Sequence, residues 1–240
     1  MKKIIIVALL ISMSFFAFTQ EADEYITEET SLEETEKKPK KSIFSFGNNK
    51  KVLEASEGIV FSKGITGKLK QQRADYVINL DTSEPGFGSP YLASYSYIFM
   101  NSESAAYFSN AFEQYEKDFE AKRLERKGSK LYKKYGKFDI SVKWGAVKML
   151  TPNYGTGKGL LGYEFVNKSP YFTLTIYPVK NKYHEKESTA QEESPTFKFY
   201  FTKSAARKLI EHMDAENVNQ LLMQLNGTEI QDSDSESDEY

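Results

Sequence analysis

The 240-residue chain contains no cysteine. That excludes disulfides, thiol nucleophiles, thiolate metal sites and the lipid-modified cysteine of a bacterial lipoprotein. Histidine is limited to His184 and His212. Neither has a second ligand three or four residues away, as a helical zinc pair requires. No Gly-x-Ser-x-Gly elbow exists to set up a Ser-His-Asp triad. Gly155-Thr156-Gly157-Lys158-Gly159 resembles a phosphate loop only in composition. A P-loop needs four residues between its first glycine and Gly-Lys-Ser/Thr, and here Gly159 stands where the hydroxyl residue belongs. The segment is expected to be a loop between strands. The acidic C-terminus lacks the glycine and glutamate positions of an EF-hand. No metal and no cofactor is expected, and nothing in the motifs calls for an enzyme.

Apolar runs of membrane-spanning length are also missing. The one extended run covers residues 4–18, interrupted only by Ser12 and Ser14 and preceded by Lys2 and Lys3. At about fifteen residues it is short of the ~20 that span a bilayer. A charged start, an apolar stretch and small residues near Ala17 and Thr19 describe a bacterial-type secretory signal. The expected organisation is a signal peptide over 1–20, a disordered linker over 21–41, one domain over 42–225 and a disordered tail over 226–240. The expected location is periplasmic or extracellular, with membrane contact peripheral at most. Asn167-Lys168-Ser169 and Asn226-Gly227-Thr228 fit glycosylation sequons, which occur often by chance.

Charge is segregated along the chain. Residues 21–36 carry eight acids and no base, and the last fifteen residues carry six acids and no base. Setting aside these flanks, Lys2, Lys3 and the lysines of 37–41 leaves 26 of the 32 bases and 20 of the 34 acids, a body of about +6. A body of 184 residues buries about 70% of its unfolded surface and needs no disulfide to fold.

Within the body, alternating apolar residues predict strands at 76–81, 95–99, 138–144, 160–166, 171–177 and 197–201, with a weaker one near 58–62. Residues 83–90 are dense in Pro, Gly and Ser and predict a loop, as does the polar stretch 180–195. A helix is expected from Asn101 or Ser102, because either can cap it. Phe108, Ala111, Phe112, Tyr115 and Phe119 then form one stripe, and Gly128 marks the expected end. Thr202 and Asp214 predict caps for two further helices, bearing Ala206, Leu209, Ile210 and Met213, then Val218, Leu221, Leu222 and Leu225. Alternating rather than uniformly apolar strands indicate an antiparallel sheet with one wetted face. The expected class is α+β: a twisted sheet of about six strands, one long helix inserted mid-chain and two short C-terminal helices on one face.

Candidate functional residues fall into two groups. The end of the long helix and the loop after it hold Lys122, Arg123, Arg126, Lys127, Lys130, Lys133 and Lys134, with Tyr132 and Tyr135 interleaved. Basic residues with tyrosines suit an anionic envelope component or a protein partner, since tyrosine offers an apolar face with a polar tip. Nucleic acid would fit the same pattern, yet export removes it as a partner. Tyrosines also gather in the strands and their flanks, among them Tyr95, Tyr97, Tyr154, Tyr163 and Tyr177. The second group is Asp139 and Glu164, two strand carboxylates that would act as general acid and base if brought face to face. The expected function is therefore a non-catalytic binding module of the envelope. The alternatives are a carboxylate-dependent hydrolase of envelope glycan and a lipid or small-ligand binding domain.

Overall fold

The computed structural model describes residues 42–45, 51–64, 66–91, 94–146, 153–185 and 190–233. The expected signal peptide and linker lie outside them, as do the last seven residues of the tail. The described strands are β1 (Ser42–Ser45), β2 (Lys51–Lys63), β3 (Leu69–Asn79), β4 (Glu84–Tyr91), β5 (Ser94–Phe99), β6 (Lys137–Ala146), β7 (Asn153–Val166), β8 (Ser169–Ile176) and β9 (Phe197–Phe201). The helices are α1 (Ser102–Glu120), α2 (Lys203–His212) and α3 (Ala215–Ser233), with a 3₁₀ turn at Leu131–Lys133. The class is α+β with an antiparallel sheet.

The sheet is larger than the six strands expected. Each strand from β2 to β9 pairs antiparallel with the next, and β9 returns to β2 at Phe61↔Tyr200, which closes the run of eight. The four-residue β1 adds to the N-terminal half of β2. A tight turn joins β7 to β8, with Asn167 and Lys168 both at positive φ (49° and 74°), the conformation whose twist suits a two-residue hairpin.

One face of this sheet carries the core. Tyr76, Phe87, Ile98, Phe138, Ile140, Val142, Leu161, Phe172, Leu174, Phe199 and Phe201 point to it and meet the apolar stripes of α1 and α2. Phe87 of β4 touches Phe199 and Phe201 of β9 at ring-centroid distances of 5.0 and 5.9 Å, although β3 and β2 lie between. Only a sheet curled towards the helices brings those rings together. Phe108 of α1 sits among Phe138, Phe172 and Phe201, edge-on to each. Burying each such ring contributes roughly 1.5–3 kcal/mol.

The helix starts follow the sequence. Ser104 N donates to Asn101 Oδ1 at 2.8 Å, Ala205 N to Thr202 Oγ1 at 3.2 Å, and Glu216 N to Asp214 Oδ1 at 2.9 Å. The helix ends do not. α1 stops at Glu120 rather than near Gly128. The last helix runs on past Leu225 to Ser233 instead of being short.

Two expected loops are strands, and both depend on close approach. Residues 84–91 form β4 despite their turn-forming composition, and the rings of Tyr95 and Tyr97 lie where a Cβ on Gly88 would stand. Residues 155–159 lie inside β7. Gly155, Gly157 and Gly159 alternate onto the core face, where a Cβ would meet Val179 Cγ1 at 2.6 Å, Val179 Cγ2 at 2.7 Å and Leu174 Cδ1 at 2.9 Å respectively. These glycines make room for packing rather than for a turn.

The far face is not uniformly wetted either. Val52, Val77, Tyr97 and Phe99 form a second buried cluster there, with Tyr95 against it. Lys143, 2% exposed, lies among them: its Nζ is 5.1 Å from the Phe99 ring centre and donates to Asn79 Oδ1 at 3.2 Å.

Candidate binding surface

The basic segment starts where α1 ends. Lys122 adopts the left-handed conformation at φ 55°. Its N donates to Phe119 O at 3.0 Å, and Arg123 N donates to Asp118 O at 2.8 Å. This is the doubly bonded Schellman termination, with lysine in the place that glycine usually holds. It turns the chain off the helix axis at Lys122, six residues before Gly128.

Asp118 then gathers the segment. Its carboxylate accepts from Arg123 Nε at 3.1 Å and from the Tyr135 hydroxyl at 3.1 Å, and pairs with Lys134 Nζ at 3.0 Å. The Lys134 hydrogen bond holds the Asp118 carboxyl below the usual range against the opposing effect of burial, and Arg123 and Tyr135 add to it. Further along, Glu125 N donates to the Tyr163 hydroxyl at 2.9 Å, which itself donates to Glu125 O at 3.2 Å. Two backbone bonds fasten the segment to β7: Tyr135 N to Leu161 O at 2.9 Å and Leu161 N to Gly136 O at 3.0 Å. The 3₁₀ turn seats directly on Gly162. A Cβ there would fall onto the Leu131 carbonyl oxygen and the Tyr132 carbonyl carbon, and 2.7 Å from Lys133 N.

This seating divides the nine residues singled out in the sequence. Tyr135 is 7% exposed, its ring packed against Tyr115, Tyr163 and Phe172, so it belongs to the core and not to a partner surface. Burial, with the Asp118 charge, pushes its phenol well up. Arg123 and Lys134 are committed to Asp118, and Lys134 also lies over the Tyr163 ring at 5.4 Å. The Arg126 guanidinium covers Phe165 at 5.8 Å. Lys122, Lys127, Lys130 and Lys133 are exposed and have no carboxylate partner among the described residues. Tyr132 is half-buried, with Lys133 Nζ 5.6 Å from its ring centre and the Tyr177 ring at right angles to it, 6.5 Å away. The site thus offers four exposed lysines without a carboxylate partner and an aromatic corner, standing on a fixed base.

The two strand carboxylates are not brought together. Asp139 is exposed on the far face and pairs with Lys158 at 2.6 Å. Glu164, on the same face, is held by Lys63, Lys198 and the Tyr200 hydroxyl, the last at 3.0 Å. Burial pushes its carboxyl up, but the hydrogen bonds from Lys198 and Lys63 outweigh burial and hold it below the usual range. Asp139 lies opposite Lys158 in β7, six residues from Glu164. At ~3.3 Å per residue that is about 20 Å, twice the separation over which two carboxylates flank a glycosidic bond.

His212 lies inside the fold. It is 7% exposed and stacks on Tyr76 at 5.3 Å, with Nε2 3.0 Å from Val77 O. Burial lowers its imidazole below the ordinary value. His184 Nδ1 lies 3.1 Å from Ala190 O in the loop after β8. Among the described residues no three His, Asp or Glu side chains converge as metal ligands, and no helix is long and apolar enough to cross a membrane.

Sequence reasoning missed the burial of Lys143, which sits in β6 on the same side as the exposed Asp139. Nothing local separates the two, because the aromatic cover of Lys143 comes from β5. No curated protein and no solved structure matches the chain significantly. A family model described as "Uncharacterised Treponema protein" matches residues 23–220, most of the chain, and the protein therefore belongs to that family.

Proposed function

We propose that this protein is an exported, non-catalytic envelope protein that binds an anionic component or an acidic protein through the segment between α1 and β6. The observation that supports this reading most is the set of exposed lysines, Lys122, Lys127, Lys130 and Lys133, carried by a segment pinned at Asp118, Tyr163 and Gly162. A pinned segment presents its charges without the entropy cost of ordering them on contact. Each lysine near an anionic surface contributes roughly 1 kcal/mol. Four of them give weak attachment, in the millimolar range, unless the partner is repetitive.

Hydrolysis by paired carboxylates has no support in the placement of Asp139 and Glu164, each of which is neutralised by lysine. A lipid-holding domain is not favoured by a core face filled with ring-on-ring contacts.

The test is retention of the protein on anionic vesicles and on isolated cell-wall material across a salt series. Retention should fall steeply between about 50 and 300 mM salt. It should also fall in the double variant K127E/K130E. Retention that ignores both salt and charge reversal refutes the proposal.

A further inference from the structure

Beyond charge, the surface carries a pattern that a membrane headgroup layer or a simple anion would not need. Tyr177, at the end of β8, is 52% exposed. Its ring meets that of Tyr132 at 89°, and Lys133 Nζ stands over Tyr132. Six residues along the chain the same three parts recur. Tyr183, 45% exposed, lies against Tyr154 at 6.1 Å, and Lys182 Nζ is 5.0 Å from the Tyr154 ring centre. Six residues reach at most about 20 Å, so the backbones of Tyr177 and Tyr183 lie within about that distance of each other.

An exposed tyrosine offers a flat apolar ring with a hydroxyl at its rim, which complements the C–H face of a sugar and its hydroxyl edge. The ammonium beside each corner complements a carboxylate on that sugar. Lys122, Lys127 and Lys130 extend the positive surface from the first corner, which already holds Lys133. Two alike corners at a fixed separation suit a ligand that repeats, because the second contact is then made at high effective concentration.

We propose that the partner is an acidic polysaccharide, a chain of uronic-acid-type sugars, engaged at the Tyr132–Tyr177–Lys133 corner and again at the Tyr154–Tyr183–Lys182 corner. This rests on the anionic-partner reading above and adds the chemical class of the partner to it. The tyrosines stack on the sugar rings and the lysines pair with the carboxylates. Affinity therefore depends on rings as well as on charge.

The probe is polygalacturonate, compared with neutral dextran and with phosphatidylglycerol vesicles, using the chain from residue 21 onward. Binding is measured by calorimetry on wild type, Y177S, Y183S, the double variant, Y177F and K127E/K130E. The expected result is binding of polygalacturonate but not of dextran. Y177S and Y183S each weaken it about fivefold, the double variant weakens it more than tenfold, and Y177F, which keeps the ring but loses the hydroxyl, weakens it less than Y177S. Tyr177 and Tyr183 are about half exposed, so truncation removes their ring contacts with Tyr132 and Tyr154 but should leave the protein folded, which a melting curve checks. If K127E/K130E weakens binding but the serine variants do not, the anionic-partner reading stands and the polysaccharide assignment falls. Binding to vesicles without binding to polygalacturonate also overturns the assignment and points to a membrane. If neither probe is bound, the polysaccharide assignment falls, and the wider anionic-partner reading is decided by the salt series on vesicles and cell-wall material above.

Discussion

Replacing Gly162 by alanine should detach the basic segment from β7. The added methyl group would lie on the Leu131 carbonyl oxygen and the Tyr132 carbonyl carbon. Both are backbone atoms, so no side chain can swing aside to admit it. Restoring van der Waals distance moves the 3₁₀ turn outward by about 1 Å or more, an overpacking that costs roughly 1–3 kcal/mol. The same movement stretches the Tyr135 N to Leu161 O and Leu161 N to Gly136 O bonds, now 2.9 and 3.0 Å. Each is worth about 0.5–1.5 kcal/mol. Against this, alanine restricts the unfolded chain by about 0.4–1 kcal/mol. The net expectation is a loss of about 2–4 kcal/mol, read as a lower urea midpoint at unchanged slope. Trypsin should also cut sooner after Lys130, Lys133 and Lys134 once the turn is released. Gly64→Ala is the control, since its methyl would meet only the flexible Lys70 side chain at 3.3 Å, and it should stay within about 0.5 kcal/mol of wild type. A Gly162→Ala protein as stable and as protease-resistant as this control would refute the seating of the turn.

Three other outcomes follow from the packing. Lys122→Gly should stabilise the protein by about 0.5–1 kcal/mol, because glycine holds the left-handed conformation at φ 55° without penalty; a drop in melting temperature would contradict the Schellman assignment. Phe108→Ala should cost about 3–5 kcal/mol, since it empties the space between Phe138, Phe172 and Phe201, and a urea midpoint close to wild type would show that the helix does not plug the sheet. His212 should make stability fall in mild acid. Burial lowers its pKa in the fold, so the unfolded chain takes up the proton first as pH drops through about 6.5. Its contribution is therefore complete above that pH and is lost below it, at up to about 1.4 kcal/mol per pH unit. His212→Asn, though less stable throughout, should show a flatter dependence of urea midpoint between pH 7 and 5.5, above the range where carboxylates titrate; an unchanged slope would rule this out.

Much of the fold was legible in local pattern. Alternation located the strands that became β3, β5, β6, β7, β8 and β9, and Asn101, Thr202 and Asp214 were recognisable as caps because capping is a contact between residues two or three apart. What escaped was set by distant partners. Gly155, Gly157 and Gly159 carry the composition of a loop, yet Val179 and Leu174 pressing on them make a strand of it. Residues 84–91 look like turns for the same reason: glycine means either freedom or closeness, and only the neighbour decides which.

The basic segment divides along the same line. Its charge and its tyrosines are properties of the chain itself, as are the absence of thiol chemistry and the apolar stripe of α1. Which bases are held by Asp118 or by a ring, and which stand without a carboxylate, was decided by tertiary structure alone. Asp118, Tyr163 and Gly162 hold the segment, draw Tyr135 into the core and leave Lys122, Lys127, Lys130 and Lys133 at the surface. Periodicity acts over three or four residues and can be seen in a sequence. Burial depends on which residues, tens of positions away, fold back to cover a side chain, and that is settled only when the sheet closes.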